Sequence, residues 1–256
     1  RQYDHEVRGA TAIKPIQGKI GKEVHGDSSV LKPVEDSWKG LALTTDINPH
    51  LMEANPYHGT MSAVEEICRN LASVGARIDS LADCLCFGNP QRPEIMGQFK
   101  SSCDALRVAA TSVDVPYVSG NVSLYNETAE GAIPPTPVLM GIGLVDDIRK
   151  CVTSDLKNEG DIWLVGDNKQ QLGASLYYRT LGINCPNVPT TDFDSFIPRM
   201  EQLIDAIECG EVAACHDIST GGMALAIIEM CMSGVGAEIN LSGDMRADLE
   251  LFNESN

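Results

Sequence analysis

The sequence predicts an α+β protein built from two domains. Its 256 residues exceed one small domain and fall short of three. The composition, 43% hydrophobic and 21% charged, is that of a globular chain that can form a core. Helical and strand-like segments follow one another without the regular strand–helix order of a doubly wound sheet, which favours α+β over a Rossmann arrangement.

The first predicted domain covers residues 1–145. Its first thirty or so residues contain scattered glycines and no sustained hydrophobic period, which predicts a loop. Beyond them, apolar residues recur at helical spacing in two stretches, with β-prone runs around them. The predicted elements are a strand at 39–45, a helix at 61–74, a short strand at 81–85, a helix at 95–113 and strands at 115–118 and 138–145.

The second predicted domain covers residues 146–256, where the pattern of elements restarts. Apolar spacing and β-prone runs define its elements. They are strands at 162–165, 212–215 and 237–241 and helices through 172–176, through 197–207 and from Met223. A further element begins near Leu249 and the chain ends without a cap or polar tail, so we expect this domain to be incomplete.

The charge balance argues against nucleic acid as a partner. Lys and Arg number 19 against 36 Asp and Glu, and the net charge of −17 repels phosphate backbones and anionic membranes. The sequence has neither an apolar run of about 18–20 residues nor a signal-peptide pattern, so we expect no membrane partner. Nine cysteines, an odd number, indicate reduced thiols and a cytoplasmic protein.

The most informative polar segment runs from Val118 to Glu127, where a strand leads into a turn of small residues. Gly120 lets backbone amides approach an anion closely, and Ser123 offers a hydroxyl donor. Asn121 offers a neutral oxygen of the kind that Mg²⁺ accepts alongside phosphates. The combination is typical of a nucleotide–metal site, and the alternative is a plain β-turn, which uses the same residue types.

Three other segments place an acidic residue where ligands often bind. Asp46 ends a predicted strand, Asp83 follows an apolar segment, and Asp217 stands between a strand and a helix. Amides at a helix N-terminus bind anions, and Asp217 is placed to hold a cation that bridges them to phosphate. For Asp46 and Asp217 the alternatives are a turn residue and a helix N-cap.

Other patterns exclude several site types. Cys84 and Cys86 form a pair, but a zinc site needs a second ligand pair that the sequence lacks, which favours free thiols. The phosphate-loop, dinucleotide, zinc-protease and Gly-x-Ser-x-Gly signatures are absent, as is a Gly-x-Cys-x-Gly glutaminase elbow.

In their order, these segments resemble the phosphoribosylformylglycinamidine synthase family, the large ATP-dependent subunit of purine biosynthesis. The stretches that carry the resemblance are Arg1–His5, Thr44–Asp46 with Asn48–Pro49, Arg69–Ala72, Asp83 with Phe87–Pro90 and Glu94, Ser119–Glu127, Pro135–Pro137 and His216–Gly222. They span nearly the whole chain, and the run Ser119–Glu127 is the most specific of them.

The resemblance implies the second of two duplicated units that are similar to AIR synthase. Such a unit has a ferredoxin-like N-terminal sheet domain followed by an α/β domain of the AIR synthase C-terminal type. The resemblance further implies that Asp83 and Gly120 contact ATP, that Asn121 helps bind Mg²⁺ and that Ser123 contacts formylglycinamide ribonucleotide. Ligands from the first unit complete that site.

The chain also departs from the family's pattern. Where the first unit carries Glu-Ser-His-Asn-His-Pro with its catalytic histidine, Asp46 stands in place of the base, so we expect no catalytic residue here. Asp217, Glu254 and Ser255 resemble counterparts of metal and substrate residues, which implies a pseudo-symmetric second site. Cys86 replaces a usual Asn and puts the polar contacts of that loop in doubt.

The implied activity is an ATP-dependent C–N ligase that converts formylglycinamide ribonucleotide and ammonia from glutamine into formylglycinamidine ribonucleotide. The implied partners are the missing N-terminal unit, a glutaminase subunit and a small bridging subunit. We expect the isolated chain to be inactive. We also expect it to form a homodimer through the apolar face that its missing partner would otherwise cover. The alternatives are a non-catalytic nucleotide-holding or assembly scaffold and another AIR-synthase-like phosphotransferase.

Overall fold

A computed structural model of the chain describes residues 9–255. The Arg1–His5 stretch of the resemblance and residue 256 lie outside the described residues. Helices cover one face of a mixed sheet, which confirms the α+β class. Within residues 9–255, no helix is long and apolar enough to cross a lipid bilayer.

The strands and three of the α-helices lie before residue 146. The strands are β1 Thr11–Ile13, β2 Ile16–Lys19, β3 Lys22–His25, β4 Ser29–Leu31, β5 Gly40–Asp46, β6 Arg77–Cys86, β7 Tyr117–Ser123, β8 Glu127–Thr128, β9 Gly131–Ala132 and β10 Thr136–Val145. The helices are α1 Pro49–Ala54, α2 Pro56–Ala72 and α3 Pro93–Val113.

Six strands form one sheet in the order β1-β4-β5-β10-β6-β7. Strand β10 pairs antiparallel with β5 and β6, whereas β6 and β7 run parallel. A parallel pair needs a long crossover connection, which α3 supplies. Within residues 9–255, β7 is the last strand of this order, so one side of its backbone has no strand beside it.

Helix α2 packs against the middle of the sheet, and burial alternates along β10 as a result. Leu139 and Gly141 are buried under the helices, while Val138 and Met140 point the other way and stay partly exposed. Close packing against α2 requires glycine at position 141, because a Cβ there would lie 2.3 Å from Cγ2 of Ile67. The core therefore lies between this face and α2 and α3.

The opposite side of the sheet, which we call the open face, carries partly exposed side chains that are mostly apolar. The cross-strand pairs Ile142–Leu43 and Val138–Cys84 place residues of three strands on it. Its members on β5, β6 and β10 include Leu41, Leu43, Cys84, Cys86, Val138, Met140, Ile142 and Leu144. A contiguous apolar surface of this kind is typical of a protein–protein contact.

The loop predicted for the first thirty residues is wrong where the structure describes it. Strands β2 and β3 form a hairpin with a two-residue turn, and Gly21 in that turn has φ +77°. A positive φ is what glycine supplies in such turns, so the glycines mark hairpin turns and not an irregular segment. Strands β1 and β4 extend the main sheet.

The second half contains a short 3₁₀ turn, Ile148–Lys150, and four α-helices. These are α4 Leu176–Thr180, α5 Phe193–Cys209, α6 Gly222–Cys231 and α7 Ala247–Phe252. The predictions of α5 and α6 are confirmed. The helix predicted through 172–176 begins only at Leu176.

The strands predicted at 162–165, 212–215 and 237–241 are wrong, since none of these segments is a strand. Trp163, in the first of them, is 83% exposed. β-propensity largely measures packing against neighbouring strands, and an apolar run without such a neighbour does not become a strand.

We predict that Gly141→Ala destabilises the protein by about 1–3 kcal/mol, because the new methyl group overpacks the contact with Ile67. Gly97→Ala is the matched control, since Gly97 lies in α3 with open space around it and gains about 0.5–1 kcal/mol from helix propensity. Urea unfolding midpoints measure both. Equal shifts in the two variants would contradict the packing described here.

Candidate functional site

The two residues predicted to contact ATP lie side by side on β6 and β7. The parallel register pairs Asp83 with Gly120. A Cβ on Gly120 would lie 3.0 Å from both carboxylate oxygens of Asp83, so the absence of a side chain makes room for this carboxyl group. Partial burial raises the pKa of Asp83, and the backbone N–H of Asn121 opposes that rise.

The other two predicted residues lie on the opposite side of the same strand pair. Asn121 pairs with Cys84 and Ser123 with Cys86, which places both on the open face, whereas Asp83 pairs with buried Leu139 on the helix-covered face. The Asn121 side-chain amide donates a hydrogen bond to Sγ of Cys84 over 3.3 Å. Its Oδ1 remains as an acceptor beside the exposed strand edge.

The turn after β7 is fixed to the turn after β6. The Asn126 side-chain amide donates to the carbonyl oxygens of Phe87, at 3.0 Å, and of Ser123, at 2.9 Å. A Glu127 carboxylate oxygen accepts the backbone N–H of Asn89 over 2.9 Å. Asn126 and Glu127 therefore hold the two turns together. Their hydrogen bonds fix the position of Ser123 even when no ligand is bound.

The sheet edge thus brings all four predicted residues, Asp83, Gly120, Asn121 and Ser123, onto two neighbouring strands, and we call this group the edge site. Residues 118–122 are exposed, so a ligand can reach their backbone. Unpaired N–H groups of an edge strand can bind anionic oxygens. The edge site is therefore open to a phosphate-bearing ligand from solvent or from a partner's surface.

A second group of titratable residues lies between the two halves of the chain. Arg69 on α2 is 8% exposed, and its guanidinium nitrogens lie 3.1 Å from a carboxylate oxygen of Glu65, 3.7 Å from one of Glu66 and 3.6 Å from one of Asp217. Asp46 at the end of β5 adds another carboxyl group. We call Arg69 with these four acids the buried cluster.

The cluster holds more acid groups than its one arginine can neutralise. Burial raises the pKa of Asp46 to about 6 and that of Asp217 to about 7, and it raises the pKa of Glu66 well above its usual value. The side-chain hydrogen bond between Asp46 and Glu66 raises the pKa of Glu66 and lowers that of Asp46. One oxygen each of Asp46 and Asp217 has no hydrogen-bond partner.

His216 connects the second half to the start of the sheet. Its Nδ1 lies 2.6 Å from Oδ1 of Asp27, and its Nε2 lies 2.9 Å from Oε2 of Glu229. Burial lowers the pKa of His216, but the hydrogen bond and charge of Asp27 more than offset this and leave it at about 10. His216 is therefore a charged structural residue at neutral pH.

The two terminal residues predicted for a second site are separated. Glu254 lines a small cleft together with Asn48, Glu66 and Thr220. Its Oε1 accepts the backbone N–H of Gly221, at 2.7 Å, and of Leu176, at 2.9 Å. Ser255 instead bonds Asn253 in a buried network outside this cleft.

Sequence reasoning singled out Asp46 and Asp217 but missed Glu66 and Asp27. A signal for this region was available: Glu65 and Arg69 interrupt the buried face of a mostly apolar helix, and buried charges require partners, which Glu66 beside them can supply. No local signal marks Asp27, because its partner His216 lies 189 residues further along the chain.

Comparison with protein families assigns the fold. The model for the N-terminal domain of AIR synthase related proteins matches residues 25–145, and the model for their C-terminal domain matches residues 169–256. The chain belongs to the AIR synthase related proteins.

Within that family, the resemblance to the phosphoribosylformylglycinamidine synthase large subunit is confirmed. The phosphoribosylformylglycinamidine synthase subunit PurL of Methanothrix thermoacetophila is 41% identical over an alignment that covers all of this chain and 34% of the relative. The chain spans about a third of the length of the curated relatives it matches.

Two solved structures are similar to the chain. The PurLQS structure from Thermotoga maritima is 30% identical, covers 64% of this chain and 26% of that chain, and has a TM-score of 0.50. A HypE–HypF complex is 19% identical over 82% of this chain and 65% of that chain, with a TM-score of 0.56, which shows a shared fold alone.

We predict that His216 stabilises the protein below neutral pH and loses this effect in alkali. Its folded pKa of about 10 exceeds the ordinary value of 6.5, so the stabilisation is complete below about pH 6.5 and disappears as the pH rises through about 10. His216→Gln should therefore cost about 3 kcal/mol at pH 6 and much less at pH 10.5.

Urea unfolding of both proteins at pH 6, 8 and 10.5 measures this difference. Exposed His50, replaced by Gln, is the matched control and should stay within about 0.5 kcal/mol of the parent at each pH. A constant cost of His216→Gln across the three pH values would show that the charge of the imidazolium does not contribute.

Proposed function

We propose that the chain is the second AIR-synthase-like unit of a phosphoribosylformylglycinamidine synthase large subunit, an ATP-dependent C–N ligase of purine biosynthesis. The exposed edge site on β6 and β7 is the observation that carries this proposal. In it, Asp83 and Gly120 contact ATP, Asn121 binds Mg²⁺, and Ser123 contacts formylglycinamide ribonucleotide.

The residues at the edge fit a magnesium triphosphate. Asn121 uses its amide N–H toward Cys84, which leaves Oδ1 as one neutral oxygen for a cation that otherwise keeps waters and phosphate oxygens. Mg²⁺, when bound, supplies positive charge that offsets the triphosphate in a chain of net charge −17.

In this reaction the chain positions the phosphate oxygens and the substrate, and it transfers no proton. The γ-phosphoryl group of ATP passes to the amide oxygen of the substrate and ADP is released, giving an imino-phosphate. Ammonia then forms the C–N bond at the same carbon as the C–O bond breaks, and phosphate leaves more readily than oxide. The backbone N–H groups of β7 hold negative oxygens in a fixed geometry, and the Ser123 hydroxyl orients the substrate.

The general base must come from elsewhere. Asp46, at the position of the family's catalytic histidine, shares a hydrogen bond with Glu66 and faces Arg69 in the buried cluster. Its pKa of about 6 results from burial, and it lies on β5, which β10 and β6 separate from β7. We assign no catalytic residue in this chain, and the isolated chain should be inactive.

The buried cluster is a proposed second, pseudo-symmetric cation and nucleotide site. The buried Oδ2 of Asp46, which has no hydrogen-bond partner among the described residues, favours a cation there. The carboxylate of Glu254 already accepts the N–H of Gly221 beside α6, which argues against a phosphate at that same point. A scaffold role without turnover is the alternative that this cluster favours.

The open face is the proposed contact with the missing N-terminal unit. Its apolar side chains span β5, β10 and β6 and end beside Asn121, so a partner seated there would also reach the edge site. A glutaminase subunit and a small bridging subunit complete the proposed assembly. The similarity to a solved PurLQS structure supports this arrangement.

We predict that the chain, combined with the N-terminal unit of its subunit and an ammonium salt, hydrolyses ATP only when formylglycinamide ribonucleotide is present. Asn121→Ala should lower this rate roughly tenfold or more, the effect of losing a charge-assisted contact of about 1.5 kcal/mol. Phosphate release is the measurement.

Asn187→Ala is the matched control, because Asn187 is an exposed asparagine of the second half, and it should leave the rate unchanged. Full activity of Asn121→Ala would overturn the metal assignment. Titration of Mg²⁺-ATP against the isolated parent chain and Asn121→Ala separates the ligase from a pure scaffold, since only binding at the edge site is weakened by Asn121→Ala.

We predict that the isolated chain sediments as a homodimer in which two open faces meet. Ile142→Glu places a charge in the middle of that face and should give monomers. Leu181→Glu, at a 55% exposed position of the second half, should leave the dimer intact. A sedimentation mass of one chain for the parent protein would refute this contact.

A further inference from the structure

The open face carries a pair of thiols that the proposed function does not use. Cys84 and Cys86 lie two residues apart on β6, so both side chains point to the same side of the sheet. Their Sγ atoms are 3.7 Å apart, and both residues are half-buried. The two thiols therefore touch each other on a face that is accessible in the monomer, before the proposed dimer or partner contact covers it.

The strand geometry permits a bond between them but strains it. Same-face neighbours on a strand have Cα atoms about 6.6 Å apart, twice the rise of about 3.3 Å per residue. Disulfides tolerate Cα separations up to about 6.8 Å, so this bond would lie at the long end of the range. Strained, accessible disulfides are reduced more easily than structural ones, which makes a reversible bond the expected product.

The pair is in direct contact with the edge site. Cys84 accepts the hydrogen bond from the Asn121 side-chain amide, and the parallel register places Cys86 beside Ser123. Drawing the two sulfurs together moves the Cys84 Sγ away from Asn121 and contracts β6 next to an edge strand that is held on one side only. The oxidised pair would therefore release the Asn121 side chain and disturb the position of Ser123.

We propose that Cys84 and Cys86 are a reversible redox pair whose disulfide weakens ligand binding at the edge site. The second part rests on the proposed function. One thiolate attacks a small disulfide such as oxidised glutathione and releases one glutathione thiol. The other thiolate then attacks the mixed disulfide, forming the Cys84–Cys86 bond and releasing the second glutathione. The two protein thiol protons end on the two glutathione thiols.

Peptide mass spectrometry tests the bond without any nucleotide. The full chain is equilibrated in glutathione buffers of graded oxidation, quenched with acid, alkylated and digested with trypsin. Residues 78–100 form one tryptic peptide, because Pro93 blocks cleavage after Arg92, and it contains Cys84 and Cys86 as its only cysteines. In oxidised buffer we expect this peptide to take up no alkyl group and to have a mass two hydrogens below that of the unalkylated dithiol. After dithiothreitol it should take up two alkyl groups.

Cys86→Ser is the matched variant and should yield only a glutathione adduct on Cys84. Cys103→Ser, which removes a half-buried thiol on α3, should leave the disulfide intact. Two alkylated thiols, or a persistent glutathione adduct on the parent peptide in oxidised buffer, would overturn the redox pair.

Mg²⁺-ATP titration of the reduced and oxidised chain tests the coupling. We expect affinity about fivefold to tenfold weaker after oxidation, and no oxidation effect in the double variant Cys84→Ser/Cys86→Ser, which can form neither the disulfide nor a glutathione adduct at this pair. Equal affinities in both states would overturn the coupling. Absence of ATP binding by the reduced chain would instead count against the proposed function, and the peptide measurement would still decide whether the disulfide forms.

Discussion

The parallel pairing of β6 with β7 determines the geometry of the proposed edge site. It places Asp83 opposite Gly120 and Cys84 opposite Asn121, and the alternation of strand side chains sends these two pairs to opposite sides of the sheet. Because α3 must span the parallel connection, it covers the side that holds Asp83 and leaves the other side bare. A slip of one residue would exchange the two sides and separate the carboxylate from the glycine that makes room for it.

The junction between the two halves is held by a different kind of interaction. Arg69 is buried among several carboxyl groups, and His216 lies between Asp27 and Glu229. Buried charges cost much desolvation energy, and partners of opposite charge offset that cost only when the geometry is kept. The halves are therefore fixed relative to each other by groups whose charge depends on pH. The raised pKa values of Asp46, Glu66 and Asp217 favour the neutral carboxyl form where one arginine faces four acids.

The same strand edge links the proposed site, the proposed partner surface and the thiol pair. The open face ends at Asn121 and Cys84, so a partner on that face, a ligand at the edge and a bond between the cysteines would all act on the same few atoms. A site that is exposed on an edge strand is incomplete by itself, because it offers contacts from one side only. This geometry fits the proposal that the unit contributes ligands and relies on another unit for the rest, including the base.

The sequence by itself determined the α+β class and helices α2, α3, α5 and α6, and it supplied the four residues of the proposed edge site. Periodicity identifies a long amphipathic helix, and a run as distinctive as Ser119–Glu127 identifies a family. Only the tertiary structure decided that Asn126 and Glu127 anchor turns, that Asp46 shares its hydrogen bond with Glu66, and that Asp27 meets His216. It also decided that the apolar run at 162–165 is not a strand. The physical reason is that these outcomes depend on partners far along the chain, and a local pattern contains no information about which distant residue will lie beside it.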